Sequence, residues 1–492
     1  MNLAALLEGT GLLEPVPAGL ASLEPAGLEY DSRRVGNGYL FFAFAGAKAD
    51  GRQFAKQAME KGALAVVSEL PAPAGWTGPW LQVGHGRTAL ATASRAFYHH
   101  PDKRLGITGI TGTNGKTTTC HLIDSILHTS GAVTSLVGTI EYHIAGERLP
   151  AVNTTPESLD LMRLFAETEQ RGGSHVTMEV SSHALSLHRV FGIEFHTAVF
   201  TNLTRDHLDF HGTMDEYFAA KQTLFTGAGA NAPPWAVINH DDAWGRKLAT
   251  GAGNVLTYGI EGGDVRAESV QSGFDGLRFR VAHPGGAVSI ESRMVGHINV
   301  YNILAACSAG FSYGLTSDTI ARGILACKAV PGRFERVEEG QPFLVIVDYA
   351  HTDDALKNTI QVARGLKPRR VITLFGCGGD RDRAKRPLMG KAAAEASDFV
   401  VLTSDNPRSE DPLDIMNDAL VGLRRFDTPH AVEPDREKAI RLAITEAQAG
   451  DILLICGKGH EPYQEIAGVK YPFDDREVSR SILRSFGYGV AA

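Results

Sequence analysis

Short apolar runs recur along the chain at Leu40 to Ala45, Ala63 to Ser68, Leu105 to Ile110, Val133 to Ile140, His175 to Val180, Ala198 to Phe200, Ala236 to Asn239, Leu344 to Tyr349, Val371 to Phe375, Val400 to Thr403 and Ile452 to Cys456. Between them the apolar spacing lengthens to that of a helix, as over Gln53 to Lys61, from the end of GITGTNGKTTT to near Thr129, over Met214 to Phe225 and over Asp354 to Leu366. Buried strands that alternate with such helices predict α/β domains with parallel sheets. A small helix at Leu3 to Leu7 opens the chain, and residues 46–51 turn it. Residues 232–290 add a helix-like stretch and shorter strand candidates. The charged turn Pro331 to Arg336 separates a further alternating region, so the expected divisions are 1–102, 103–331 and 332–492.

Composition narrows the class. With 492 residues and 43% hydrophobic content the chain can bury several cores. A formal charge of −8, from 48 basic and 56 acidic residues, supplies no broad cationic surface for nucleic acid or anionic membrane. Cys120, Cys307, Cys327, Cys377 and Cys456 are far apart and lack metal-finger spacing, so reduced thiols are expected. No run reaches the roughly 18 apolar residues that cross a bilayer. The expectation is a cytoplasmic protein with no nucleic-acid or membrane partner.

The chemistry concentrates where strands end. GITGTNGKTTT follows one apolar run and heads a helix, which is where a phosphate binds. Gly112 and Gly115 let the backbone aim its N–H groups inward, Lys116 can reach outer phosphates, and Thr117 can place a hydroxyl on Mg²⁺. The strict motif wants glycine five residues before Gly115, where this chain has Ile110. Glu179 at a strand end needs a partner, and with His207 it is a candidate Mg²⁺ ligand or organiser of a metal-bound phosphate. Lys221 shares a helix face with Tyr217 and Phe225. Its amine either snorkels to water or, if that face lines a cleft, becomes neutral and able to take up CO₂ as a carbamate. Asp31, Ser32 and Arg33 form a polar cluster able to hold a diphosphate or nucleotide, or simply a solvated turn. Three later strand ends release Gly376 to Arg383, Asp405-Asn406-Pro407-Arg408 and Gly457 to Glu461, a shared rim suited to an amino acid.

Taken in order, Asp31-Ser32-Arg33, Gly112 to Thr118, Asn153-Thr154-Thr155-Pro156, Glu179 to His183, Thr204 to Asp209, Ala220-Lys221, Asp348 to His351 and Gly457 to Glu461 resemble the Mur ligase family over essentially the full length. That resemblance implies a three-domain α/β architecture with a central P-loop ATPase-like domain and a C-terminal Rossmann-like domain. Residues 1–102 would bind the UDP substrate, 103–331 ATP, and 332–492 the amino acid. Asp405 to Arg408 is similar to the tetrad of members that add meso-2,6-diaminopimelate to UDP-N-acetylmuramoyl-L-alanyl-D-glutamate through an acyl phosphate.

By the same resemblance, Ser32, Asn153, Thr154, Thr155, Ser181 and Arg189 contact the UDP-linked substrate, and Arg381, Asp405, Asn406, Pro407, Arg408, Gly457 and Glu461 contact the amine. Gly112, Thr113, Asn114, Gly115, Lys116, Thr117, Thr118, Asn299 and Arg333 make up the ATP set. Thr117, Glu179, His207 and a CO₂-derived carbamate on Lys221 would organise Mg²⁺, with Lys116, Glu179, His207 and Lys221 in catalysis. A monomer is expected. Leu187 departs from the glutamine often found at its place in the family.

Overall fold

Four parallel strands, Gly27–Glu29, Tyr39–Phe42, Ala65–Ser68 and Trp80–Gln82, pair in chain order to form a small sheet. Leu28, Leu40, Phe42, Val67 and Leu81 pack with the helix Gly86–Phe97 on one side of it. The structure, a computed structural model, describes residues 1–46 and 50–489. The turn expected over 46–51 therefore lies partly outside the described residues.

A second sheet begins with Gly106–Thr111, which lies between His175–Glu179 on one side and Thr197–Phe200 on the other. Thr134–Val137 extends it past His175–Glu179, while Trp235–Asn239 and Asn254–Gly259 extend it past Thr197–Phe200, all in parallel. Later strands thus fill both flanks of the first one. At such a switch point the helices leave to opposite faces and open a crevice beyond the strands' carboxyl ends. The central strands are buried on both faces, as their unbroken apolar runs require. Glu141–Ile144 and Glu147–Pro150 close one edge as an antiparallel hairpin.

The short strands expected within 232–290 include three long ones, Val265–Gly273, Gly276–His283 and Gly286–Ser292. Their inward residues alternate with exposed Arg266, Arg278, Arg280 and Glu291, so no continuous apolar run marks them.

The third sheet runs Leu344–Asp348, Ile452–Cys456, Val371–Phe375, Phe399–Leu402 and His430–Val432 in parallel, with Glu335–Val337 antiparallel at one edge. Its last long strand, Ile452–Cys456, inserts between the first two of the parallel set, which brings the loops after residues 348, 375, 402 and 456 to one rim. By compactness the chain divides into two units, one of residues 1–266, 282–286 and 302–323, the other of 267–281, 287–301 and the chain from 324 onward.

Candidate functional site

In the first unit, the strand Gly106–Thr111 turns through Gly112 and Gly115 into the helix Lys116–Thr129. Gly112 has φ 147° and Gly115 φ 87°, and a Cβ at either would run into Thr201 or Asn302. Only glycine fits the turn. The loop is then tied from outside: Asn202 O accepts Thr113 N–H at 2.8 Å, Asn202 Oδ1 accepts Asn114 N–H at 3.0 Å, and Thr201 Oγ1 donates to Asn114 O at 2.6 Å. These bonds hold a rigid cradle at a helix N-terminus, where the macrodipole favours an anion.

Lys116 Nζ donates to the carbonyls of Gly112 at 3.1 Å and Thr113 at 2.8 Å. It thus rests across the loop, tied to two of its carbonyls. Thr117 Oγ1 donates to Glu179 Oε1 at 3.0 Å. Glu179 is 1% exposed, and Thr139 donates to it through its backbone N–H at 2.8 Å and its hydroxyl at 3.2 Å. These donors are the partners the buried acid demands. Thr139 carried no signal in the sequence, since it lies within an apolar run and comes to Glu179 only because Thr134–Val137 pairs with the strand that carries the acid.

The helix Met214–Thr226 buries Lys221 between Tyr217 and Phe225. Lys221 is 1% exposed, so the snorkelling alternative fails. The helix face packs inward, and Nζ donates to Gly112 O at 2.9 Å, with the Tyr217 ring 4.5 Å away. Burial pushes this amine well below the usual lysine range; the nearby Lys116 adds to that shift and Asp206 opposes it. Two lysine amines therefore share the Gly112 carbonyl, an arrangement that favours a neutral amine on the buried one.

His207 adopts a left-handed backbone, φ 52°, just before the helix Leu208–His211. Its ring lies 4.9 Å from His183 and 6.1 Å from Tyr217. Burial lowers its pKa, Asp206 opposes that shift, and Lys116 and Lys221 add to it. Among the described residues no group of three or more His, Cys, Asp and Glu side chains is placed to hold a metal ion. Hydroxyl and carboxylate oxygens at Thr117 and Glu179 nevertheless suit Mg²⁺, which favours oxygen and keeps several waters.

Beyond Glu179, Thr155 Oγ1 donates to Glu179 O at 2.9 Å and accepts Ser181 N–H at 3.1 Å, while Ser181 caps the helix Ser182–Ser186. Thr154 meets Thr139 at 3.1 Å, and Asn153 O accepts the Tyr142 hydroxyl at 2.6 Å. Arg189 donates to Thr155 O and to Glu157. In the small sheet domain, Ser32 is buried and donates to Gln57 at 2.8 Å, whereas exposed Arg33 forks onto Asp31. That fork holds the Asp31 carboxyl at about 2. Leu187 lines a cavity of about 140 Å³ with Phe44, His85, Arg87 and His188.

In the second unit, the rim of the third sheet carries Asp405, Asn406, Pro407 and Arg408. Asn406 is 2% exposed; its Nδ2 donates to Glu461 Oε2 at 2.8 Å, and its Oδ1 accepts from Lys458 Nζ at 3.2 Å and Glu465 N–H at 2.9 Å. Lys458 is wholly buried and also reaches Glu461 and Tyr463 O. The sequence displayed Lys458 inside a motif but held no hint of this organising role. Arg408 has φ 53°, donates Nη1 to Gly379 O at 2.7 Å and lies 3.7 Å from Glu465. A non-glycine residue held in that region is strained and stays there because surrounding bonds fix it. Gly457, φ 115°, lies against Asp405, and Arg381 stands on the exposed turn nearby.

Asn299 Nδ2 donates to Val295 O at 2.8 Å, and Arg333 lies 4.9 Å over the Tyr349 ring. Gly332, φ 64°, passes so close to Gly459 and His460 that a Cβ would strike their backbone. Gly332→Ala should destabilise the protein by about 2–4 kcal/mol, from left-handed strain plus the clash. A lowered urea midpoint with an unchanged slope would register it, and an unmoved midpoint would refute it.

The chain matches known families along three stretches: Mur ligase family, catalytic domain, over 24–98; Mur ligase middle domain over 110–310; and Mur ligase, glutamate ligase domain, over 332–459. It is 64% identical over 490 residues to UDP-N-acetylmuramoyl-L-alanyl-D-glutamate–2,6-diaminopimelate ligase of Solibacter usitatus, covering 99% of both chains. With the protein of the same name from Geobacillus thermodenitrificans it shares 48% identity, covering 93% of this chain and 94% of that one. A solved structure of a UDP-N-acetylmuramoyl-L-alanyl-D-glutamate–2,6-diaminopimelate ligase matches with a TM-score of 0.71 and 33% identity, over 96% of this chain and 98% of the other. The MurF ligase of Thermotoga maritima in complex with ADP shares the fold, with a TM-score of 0.62 and 20% identity, over 93% and 97% of the two chains.

Proposed function

Since the chain belongs to the Mur ligase family, we propose that it joins meso-2,6-diaminopimelate to the D-glutamate γ-carboxylate of UDP-N-acetylmuramoyl-L-alanyl-D-glutamate at the expense of ATP. The product is the UDP-linked tripeptide of peptidoglycan synthesis. The architecture is the family's three-domain α/β arrangement. We place its divisions at 1–102 for the UDP substrate, 103–331 for ATP and 332–492 for the amino acid.

The observation that carries this reading is the glycine cradle with Lys116 lying across it and a buried acid, Glu179, bonded to Thr117 at its edge. A carboxylate and an amine do not condense in water, because hydroxide is a poor leaving group. Transfer of the ATP γ-phosphoryl to the γ-carboxylate makes an acyl phosphate; the amine then adds to its carbonyl carbon, and the tetrahedral adduct expels phosphate. Lys116 and the loop N–H groups offset charge on the transferring group. Thr117 and Glu179 would hold Mg²⁺, which supplies further neutralisation of phosphate charge, with His207 and a carbamate on Lys221 completing its organisation. Asn299 and Arg333 would serve the nucleotide. Ser32, Asn153, Thr154, Thr155, Ser181 and Arg189 would hold the UDP-linked acid.

On the rim of the second unit, Arg408 and Arg381 would pair with carboxylates of the amine while Glu461, Asp405 and Asn406 take its ammonium. Arg408→Ala should raise KM for meso-diaminopimelate about 100-fold, ~2.7 kcal/mol, and leave KM for ATP unchanged. Equal KM values for both enzymes would reject that role. Among the described residues no helix is long and apolar enough to cross a membrane. We assign the reaction to the cytoplasm and to a monomer.

The direct test is phosphate release from ATP with Mg²⁺ and the UDP-linked dipeptide while the amine is varied. Release that requires both the acceptor and meso-diaminopimelate supports the assignment. Equal turnover with L-lysine would overturn the choice of amine, and hydrolysis indifferent to both substrates would overturn ligation.

A further inference from the structure

We propose that Glu157, braced by Arg87, is a positioning residue that sets the orientation of Arg189 toward the UDP-linked acid; this rests on the assignment of Arg189 to that substrate. Glu157 occupies the N-cap of the helix Ser158–Gln170, yet its side chain caps nothing. The carboxylate instead turns to two guanidinium groups: its Oε1 accepts from Arg87 Nη1 at 2.7 Å and from Arg189 Nε at 3.0 Å. Arg87 comes from the helix Gly86–Phe97 beside the small sheet, and its guanidinium lies 4.4 Å over the Phe44 ring. The side chains of Arg87, Glu157 and Arg189 are 14%, 10% and 19% exposed.

Charge and valence give this arrangement a direction. One carboxylate between two cations leaves one positive charge uncompensated, a local bias for an anionic ligand. Arg189 spends Nε on Glu157 and Nη1 on Thr155 O at 2.9 Å, so Nη2 remains to face a ligand. Thr155 in turn donates to Glu179 O. A continuous line of bonds thus links a helix of the small sheet domain, through Glu157, Arg189 and Thr155, to the backbone of the acid beside the phosphate cradle. A binding group is effective when neighbours lock its rotamer, and Glu157 is the charged side chain that, with Thr155 O, locks this one.

The experiment is steady-state kinetics on the full chain for Glu157→Gln, Arg87→Met, their double mutant and Arg189→Ala, with KM measured separately for the UDP-linked dipeptide, ATP and meso-diaminopimelate. Glu157→Gln should raise KM for the UDP-linked dipeptide about tenfold, the scale of one charge-assisted bond, with the other two KM values and the unfolding midpoint unmoved. Arg87→Met should raise the same KM less, and the double mutant should be no worse than Glu157→Gln alone, because Arg87 acts through Glu157. If Arg189→Ala raises that KM while Glu157→Gln leaves it unchanged, the positioning role is wrong. All three KM values shifting together with a lowered midpoint would also overturn it, since that is the mark of a purely structural tie. If Arg189→Ala itself leaves the KM unchanged, the underlying assignment of Arg189 is what fails.

Discussion

Lys116→Ala should lower kcat by about 10³-fold, the scale seen when a preorganised donor to a developing charge is removed. The loop around it should survive, because its shape comes from Gly112, Gly115 and the bonds to Thr201 and Asn202 rather than from the lysine. Helix Lys116–Thr129 keeps its buried face of Leu122, Ile123, Ile126 and Leu127, and alanine is a good residue at a helix start. The loss should therefore appear in kcat with an unfolding midpoint close to that of the parent. Single-turnover measurement of acyl-phosphate formation locates the defect in the first chemical step. A variant that retains a tenth or more of the parent's turnover would show that the loop N–H groups carry the charge without Lys116.

Lys221→Ala should cut kcat by about 10²-fold or more, with part of the loss restored by added short carboxylates. The reason lies in how the amine is housed. It is sealed against the Gly112 carbonyl and the Tyr217 ring, with Lys116 on the same carbonyl. Burial and that neighbour favour a neutral amine, and a neutral amine adds to CO₂ with loss of one proton to give a carbamate. Carbamylation would turn that neutral buried amine into an anion that Lys116 could pair with. Alanine would remove that anion and leave room for a short carboxylate in its place. Activity of the parent should fall when dissolved CO₂ is stripped and return on adding bicarbonate. Unmodified amine in electron density of fully active protein, together with indifference to bicarbonate, would rule the carbamate out.

Much of the site could be read along the chain because its chemistry is local there. Gly112 to Thr117 lie in one short loop and helix start, and residue identity alone suggests what each could contribute, with two glycines for the bend and a lysine and a hydroxyl suited to phosphate and metal. Asp405 to Arg408 and Gly457 to Glu461 are legible for the same reason, as polar loops directly after apolar strands. The helix face carrying Tyr217, Lys221 and Phe225 also followed from spacing. Whether Lys221 reached water did not, because that depends on what the face packs against.

Sequence by itself determined the alternation of strands and helices, the phosphate loop, the family and the residue types at each strand end. Only the tertiary structure decided which of those ends meet. Glu157 finds Arg87 at 70 residues' separation and Arg189 at 32, and Thr139 finds Glu179 at 40. The pairing of Thr134–Val137 with His175–Glu179 brings Thr139 to its acid, whereas Glu157 reaches Arg87 where the helices Gly86–Phe97 and Ser158–Gln170 pack together. The physical reason is that hydrophobic periodicity reports which face of an element is buried but carries no information about the partner that buries it. Lys458 and Lys221 are of a residue type common at surfaces and became interior ones because neighbouring oxygens, of Asn406 and Tyr463 for the first and Gly112 for the second, accept their N–H bonds.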